Sequence, residues 1–570
     1  MKLITGGPGS GKTQRLVDEI KSRLQAGVSP YMLLAATFSR QAAAEISERL
    51  GGDVAVRTVH GTAYWLIRLA RRARGDRVPR VISEDESLVM MERAAQEIGA
   101  VFLEPQAVVQ DMEHIRGRGG KFEALHPQAQ EMIQRYFQIL AAENLLDFTG
   151  ILEAARQEIE APDLRAFLQG MHLFVDEGQD LNPVTEWPIL QTLLEGAEEF
   201  VMLASPSQQI YGFRGANWEK LVQHFPHDLT SEVMQRNYRS TPEIVNAVRP
   251  LAGPDASNMQ AVRDSIGVPV RAVDALNPEM EADYVGRQVC EWIDRFQANG
   301  VPVDQIAVLT RVHSQHNLLQ VAFRMRDLPF QTIGNGRGMF EREETNALLG
   351  YLRLAIDPMD DTVLETIVNF PPCGIGARIR YKLRGDDQLR WDHLIRVLAD
   401  PEDWRPQVVR RVHRILDLRD LFDQLAERKL HLVDFVAKVA DLSNIPDYLN
   451  SEGDFAGNRA LRELIELGHE FGRPSEFIRY LEDEVARPVN SEGVQLATIH
   501  ASKGREWKAV LLPGFNDGLL PLDAGDPGEE QNVAFVGLTR AKDQLVVTMS
   551  RPHPASPFLA RLPLEMSRWP

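Results

Sequence analysis

The residues Gly6-Gly7-Pro8-Gly9-Ser10-Gly11-Lys12-Thr13 set a lysine and a hydroxyl directly behind a run of glycines. They follow a short apolar run, MKLIT, and open a stretch, TQRLVDEIKSRLQAG, whose apolar residues recur at helical spacing. A glycine-rich turn between a strand and a helix lets backbone N–H groups converge at the helix N-terminus, where a phosphate is favoured. Lys12 would reach the outer phosphates of a nucleoside triphosphate and the Thr13 hydroxyl would ligand Mg2+, with Gly6, Gly7, Pro8, Gly9, Ser10, Gly11 and Gln14 closing around them. Further along, Asp176-Glu177-Gly178-Gln179-Asp180 ends the apolar run HLFV, so paired carboxylates emerge at a strand tip. Asp176 is the expected Mg2+ partner, and Glu177 the group that orients or deprotonates an attacking water. An acidic cluster after a strand is by itself usually a solvated loop; Lys12 upstream makes it one half of a phosphoryl-transfer site.

Side chains so distant in sequence meet at the edge of a sheet, and the chain has the rhythm of one. MKLIT, the helical stretch after it, MLLAATF and SRQAAAEISERLGG alternate as the βαβ units of a parallel sheet do. The rhythm pauses from about residue 84 to residue 160, a helical stretch without clear strands, and returns at HLFVDEGQD and EFVMLAS. A second rhythm opens at PVRAVDA and QIAVLTR, pauses from about residue 374 to residue 488, and resumes at GVQLATIH, AVLLPGF and QLVVTMS. The expected domains are therefore 1–82 with 161–236, interrupted by a helical insertion over 83–160, and 237–373 with 486–570, interrupted by a shortened one over 374–485. No repeat at solenoid periods and no low-complexity tract interrupts this pattern.

Composition agrees with an ordinary soluble protein: 570 residues exceed a single core, and 44% hydrophobic with 25% charged residues lacks the signature of disorder. Cys290 and Cys373 are the only cysteines and form no CxxC or Cys/His cluster, so neither a disulfide framework nor a zinc site is expected. A reducing cytoplasm fits that usage. No signal-peptide pattern and no membrane-length apolar stretch is present, so no membrane partner is expected. The net charge of -18 argues against a simple DNA-binding domain, though a motor gripping a strand inside a groove needs only local positive charge.

Seven short segments make the reading specific: TFSRQAAAEI (37–46), RTVHG (57–61), DEGQD (176–180), SQQIYGFRGA (207–216), QRNYRST (235–241), QLATIHASKGREW (495–507) and AFVGLTRAK (534–542). With NGRGMFEREETNALLGYLRLAIDPMDD (335–361) and GLLPL (518–522), they resemble the successive motifs of UvrD-like helicases, the UvrD/Rep/PcrA branch of helicase superfamily 1. That resemblance implies two RecA-like α/β domains, each with an inserted helical subdomain, and Mg-ATP hydrolysis driving 3′ to 5′ movement on single-stranded DNA and duplex unwinding. It implies Gln208 as the γ-phosphate sensor, and Arg239 and Arg540, both outside the first nucleotide fold, as the arginines that stabilise the transferring phosphoryl group. Tyr238 would stack on adenine and Glu506 read the ribose. Phe38, Tyr211 and Phe213 would contact bases, with Phe213 standing where a tryptophan is usual, while Thr58, His60, Arg214 and His500 would contact the strand backbone or couple the two sites. The Gly374-Ile375-Gly376 turn is a candidate opening of a duplex-contacting insertion.

The chain also departs from the family pattern. Only five residues precede Gly6, so the adenine-reading glutamine segment is expected to be missing and base selectivity to be poor. Gln14 replaces an arginine, Ser205 and Ser207 replace acidic residues, and Gln531-Asn532 replace an arginine pair. Pro8 is common in the branch of opposite polarity, but QQIYGFRGA and NYRST outweigh it. The expected partners are single-stranded DNA and single/double-strand junctions, and the expected state is a monomer or weak dimer. Two other readings stay open: a DNA-sensing ATPase subunit of a repair or defence complex, motivated by the trimmed insertions, and a nucleotide-gated DNA clamp with weak hydrolysis, motivated by Ser205 and Ser207.

Overall fold

The computed structural model of the chain describes residues 1–100, 103, 105–227, 229–333, 342–372, 375, 377–384, 388–426, 431–451, 457, 461–462, 464–465, 467–468, 471, 473–486, 493–523 and 525–569. Cys373, Gly374, Gly376 and residues 335–341 of the NGRGMFE stretch lie outside the described residues. Two compact units are formed, one from Met1–Val273, Ser502–Val547 and His553–Ser567, the other from Asp274–Ala501, Thr548–Pro552 and Arg568–Pro570.

The first unit holds six parallel strands in the order Ala55–Thr58, Leu33–Thr37, His172–Val175, Glu199–Ala204, Lys2–Gly6, Thr230–Met234. Alternate residues of these strands enter opposite cores. Leu3, Leu34, Leu173, Phe200 and Met202 pack with Leu66, Ile67 and Leu190 on one face; Ile4, Leu33, Phe174, Val201 and Leu203 pack with Leu16, Val17 and Ile20 on the other. Helix Lys12–Gln25 therefore covers the second face and helix Val59–Arg74 the first. The latter starts where Thr58 Oγ1 accepts the Gly61 amide at 2.9 Å, and stops where Gly75 turns left-handed at φ 76°. Helices Glu84–Ile98, Pro105–Gly117 and Pro127–Ala142 gather a separate core around Met91, Met112 and Tyr136. A two-residue parallel pair, Arg80–Val81 with Leu145–Leu146, closes this helical stretch, too short for any periodicity to announce it. In the same unit Trp507–Leu512 runs parallel to residues 541–547, joined by helix Pro527–Leu538.

In the second unit Val494–Thr498 lies between Ile306–Thr310 and Phe330–Ile333, all parallel. Helices Glu343–Ile356, Pro406–Ala426, Leu432–Leu442 and Pro474–Ala486 share a large apolar core that includes Tyr351, Phe422, Val436 and Phe477. The fold is thus α/β with parallel sheets, the architecture of RecA-like domains. Among the described residues no helix is long and apolar enough to cross a membrane.

Candidate active site

The phosphate-loop geometry follows from its glycines. Gly9 and Gly11 take φ values of 69° and 83°, left-handed backbone that other residues adopt at a cost, and Gly11 leaves the N-terminus of helix Lys12–Gln25 without a side-chain cap. A Cβ on Gly9 would lie 2.6 Å from Arg239 Cβ, so the bare glycine lets that segment close on the loop. Buried Lys12 points its Nζ back at Gly6 O (2.9 Å) and Gly7 O (3.0 Å). Burial lowers its pKa, while Glu177, Asp176 and Asp255 favour its charge. Ser10 Oγ is buried without a hydrogen-bond partner, a donor waiting for an acceptor inside the loop. Gln14 is exposed and spends its amide on Asp18 Oδ1 at 2.8 Å.

The acidic tip faces the loop across the sheet edge. Thr13 Oγ1 donates to Asp176 Oδ2 at 3.1 Å, joining the first turn of helix Lys12–Gln25 to the residue that follows strand His172–Val175. Glu177 sits at φ 55°, a left-handed conformation that costs a glutamate of order 1 kcal/mol and clusters at functional sites. Gln179 Nε2 holds its Oε2 at 2.5 Å. Burial, then the neighbouring Glu177 charge, push Asp176 up to about 7; burial opposes the Glu177 charge, but Lys503 and Lys12 outweigh it and hold this carboxyl low. The pair is thus divided into an ionised Glu177 and an Asp176 whose charge burial and Glu177 disfavour more than Lys12 favours it. Thr13 and Asp176 supply the hard oxygen donors that Mg2+ takes, and the unpartnered Ser10 hydroxyl fits a phosphate beside it.

Gln208 follows strand Glu199–Ala204, and its Oε1 accepts from Arg540 Nη2 at 3.2 Å. Arg540 is fully buried; its Nε donates to Val536 O at 3.1 Å and its Nη1 to Arg505 O at 3.2 Å. Burial, then the charge of Arg239, disfavour its protonated form, so the guanidinium is a desolvated cation that gains from any anion placed before it. Arg239 Nε donates to Glu506 Oε2 at 2.5 Å and its Nη1 to Thr539 O at 3.2 Å. Glu506 also meets Lys542 Nζ at 2.7 Å; burial works against its charge, but Arg239 and Lys542 draw it to about 2. The expected ribose reader and the expected phosphate arginine are thus bound to each other. The half-exposed Tyr238 lies under the Arg236 guanidinium, 5.3 Å from its ring centre, with its amide on Gly9 O at 2.8 Å. Arg239 and Arg540 both lie in the same compact unit as the phosphate loop.

Several residues escaped the sequence reading, Asn237 and Asp255 beside the phosphate loop and Lys503, Phe148 and Glu186 beyond it. Asn237 is buried inside NYRST; its Nδ2 donates to Pro8 O at 2.8 Å while its Oδ1 accepts from the amides of Arg239 (3.0 Å) and Ser240 (2.8 Å), fastening this segment to the loop. Asp255, in no motif, accepts from Ser205 Oγ at 3.1 Å and from Ser207. The carboxylate expected to be lost at Ser205 and Ser207 is thus supplied from elsewhere in the chain. Gln531 and Asn532 donate instead to the carbonyls of Leu251 (3.0 Å) and Gln209 (3.1 Å).

Of the expected strand contacts, Phe38 and Tyr211 stack at 4.8 Å and 20°, with Phe213 edge-on to Tyr211 at 6.0 Å. Phe38, Phe213, Arg214 and His60 line one groove with Phe148 and Glu186, and His60 stacks on Phe148 at 3.9 Å. His60 Nδ1 is 3.5 Å from Glu186 Oε1, but burial and Arg214 push His60 down to about 4 while burial lifts Glu186 to about 7. Between those values both groups are neutral, and the contact is no ion pair. Thr58 does not line the groove; its hydroxyl caps helix Val59–Arg74. His500 belongs to the second unit. Lys503 bridges the two sites within the first unit: its Nζ donates to Asp180 Oδ1 (2.6 Å) and Gln208 O (2.7 Å) and lies 4.7 Å from the Tyr211 ring centre.

The profile of the UvrD/REP helicase N-terminal domain matches residues 1–228, and that of the UvrD-like helicase C-terminal domain matches residues 233–395 and 413–552. DNA helicase II of Salmonella typhimurium and that of Escherichia coli are each 28% identical to the chain, over 99% of its length and 85% of theirs. The ATP-dependent DNA helicase PcrA of Staphylococcus aureus is 25% identical, over 96% of this chain and 80% of its own. Matched over most of its length by the two profiles in succession, the chain belongs to the UvrD-like helicase family.

Proposed function

We propose that the protein is an ATP-dependent DNA helicase that hydrolyses Mg-ATP at Lys12, Thr13, Asp176, Glu177, Gln208, Arg239 and Arg540 and moves 3′ to 5′ along single-stranded DNA. In this reading residues 83–160 and 374–485 are helical insertions in the two RecA-like domains. The observation that carries it is Lys503, which touches Asp180 and Gln208 on the nucleotide side and the Tyr211 ring on the strand side. A change at the γ-phosphate sensor is thereby one side chain from the aromatic platform.

Lys12 exchanges the Gly6 and Gly7 carbonyls for phosphate oxygens, and the N–H groups of the loop and the Ser10 hydroxyl complete the cradle. Thr13 and Asp176 would hold Mg2+, which supplies charge neutralisation across the phosphate oxygens. Glu177, kept ionised, accepts a proton from the attacking water, while Gln208 orients it. Arg540, already desolvated, and Arg239, released from Glu506, stabilise charge on the γ-phosphoryl group. Departure of phosphate removes the anion that held Gln208 and Arg540, and Lys503 passes the relaxation to Tyr211. Bases stacked against Phe38, Tyr211, Phe213 and Phe148 are gripped without sequence preference. The direct test is strand displacement on duplexes with a 3′ or a 5′ single-stranded tail. Unwinding from the 3′ tail is expected; equal or exclusive use of the 5′ tail would overturn the polarity, and ATP turnover without any displacement would favour the DNA-sensing ATPase.

A further inference from the structure

The turn that carries Gln208 is held by a carboxylate from outside it. Asp255 sits on a tight turn beyond the short 3-10 helix Arg249–Leu251, closed by the Ala256 amide on Gly253 O at 3.0 Å, and is buried. Its Oδ1 accepts from the Ser207 amide at 3.1 Å and from the Ser207 hydroxyl; its Oδ2 accepts from the Ser205 hydroxyl at 3.1 Å. A buried carboxylate is stable only when donors meet it, and here all three come from one turn. The chain of bonds continues inward. The Ser205 amide donates to Gln179 Oε1 at 2.8 Å, and Gln179 Nε2 donates to Glu177 Oε2 at 2.5 Å. The same segment presses on the phosphate loop: a Cβ on Gly7 would lie 2.9 Å from Ala256 Cβ and 2.5 Å from Met259 Sδ.

We propose that Asp255 is a positioning residue of the phosphoryl-transfer site, fixing the 205–208 turn so that Gln208 and Glu177 face the same phosphate. Resting on the ATPase reading above, it adds a residue that no motif of the chain contains. Asp255 does not touch the reacting atoms; it acts through Ser205, Ser207 and Gln179. Because Ser207 and Asp255 are in contact, exchanging them conserves volume and moves the carboxylate by one hydrogen bond.

The test is a swap cycle on the full chain: Asp255→Ser, Ser207→Asp and the double variant. Asp255→Ser strips the turn of its acceptor, and Ser207→Asp alone sets two buried carboxylates against each other. Each single variant should lower kcat for DNA-stimulated ATP hydrolysis by roughly ten- to a hundredfold with KM changed less than about threefold, and the double variant should recover at least tenfold of that loss. Asp255→Asn, which keeps the shape and one acceptor oxygen, should fall between parent and Asp255→Ser and serves where the latter folds poorly. Amide exchange over residues 205–208 should quicken by roughly tenfold or more in Asp255→Asn and Asp255→Ser and slow again in the double variant. Parental kcat in Asp255→Ser, or a kcat loss with unchanged exchange and no recovery in the swap, overturns the assignment. A parental protein without DNA-stimulated turnover would instead refute the ATPase reading, and the exchange rates would still decide whether Asp255 holds the turn.

Discussion

Replacing Arg540 by lysine separates chemistry from stability at the most buried cation of the site. The guanidinium makes bonds to Val536 O, Arg505 O and Gln208 Oε1 at 3.1, 3.2 and 3.2 Å, spread along a planar fork. A lysine ammonium is a point donor and cannot span all three, so at least one buried acceptor loses its partner, at about 1–3 kcal/mol. Set against the roughly 5–15 kcal/mol that holds a domain together, the worst case still leaves about 2 kcal/mol, a folded-to-unfolded ratio of about 30. Unfolding can therefore remove only about a thirtieth of the activity. An arginine that stabilises a transferring phosphoryl group is worth about 10³-fold or more in turnover. Urea titration and ATP turnover at saturating single-stranded DNA measure the two separately. A modest shift in the unfolding midpoint with turnover down by about 10³ is expected; turnover within about tenfold of the parent would refute the role of Arg540, because the structural cost alone cannot mask it.

Lys12→Ala and Glu177→Gln should both abolish turnover, but Glu177→Gln should still bind ATP, since only Lys12 cradles phosphate; nucleotide binding by a fluorescent analogue distinguishes them, and near-parental hydrolysis by Glu177→Gln would remove it from the mechanism. Glu186 has its pKa raised to about 7 by burial, so its protonated form is favoured in the fold and its negative charge appears as pH rises through that value. It lines the groove with Arg214, His60 and Asp180, and Asp180 is likewise pushed up to about 7 by burial. Affinity for a single strand, read by anisotropy at fixed salt, should fall from pH 6 to pH 8, and Glu186→Gln should flatten much of that slope; an unchanged slope would show that Glu186 does not face the strand. Tyr211→Leu removes one ring of the stack with Phe38 and should cost about 1–3 kcal/mol of strand affinity while leaving basal ATP hydrolysis near parental. Unaltered affinity would place the bases elsewhere.

What the sequence disclosed and what it hid follow from the range of the interactions. Glycines before Lys12 and carboxylates after an apolar run are local signals, and the succession of apolar runs and amphipathic helical stretches gave the parallel α/β fold directly. Thr58 shows the opposite: one hydroxyl serves equally as helix cap or backbone contact, and only the geometry puts it on the Gly61 amide. Asp255 meets Ser205 across 50 positions with no motif around it, so the missing acids looked like a loss until the fold returned a carboxylate to the same turn. Asn237 stood in a recognised motif, yet its bond to Pro8 spans 229 positions and has no periodic trace. The pair Arg80–Val81 and Leu145–Leu146 is shorter than any alternation can reveal.

The central claim, that nucleotide chemistry at Lys12 and Glu177 is tied to a strand on Phe38 and Tyr211, is tested most directly by ATP turnover of the purified protein with and without single-stranded DNA. Addition of the strand should raise kcat at least about tenfold in the presence of Mg2+, and Lys12→Ala should erase both rates. Turnover indifferent to the strand, at concentrations where binding is saturated, would contradict the coupling through Lys503 and leave the two sites unconnected.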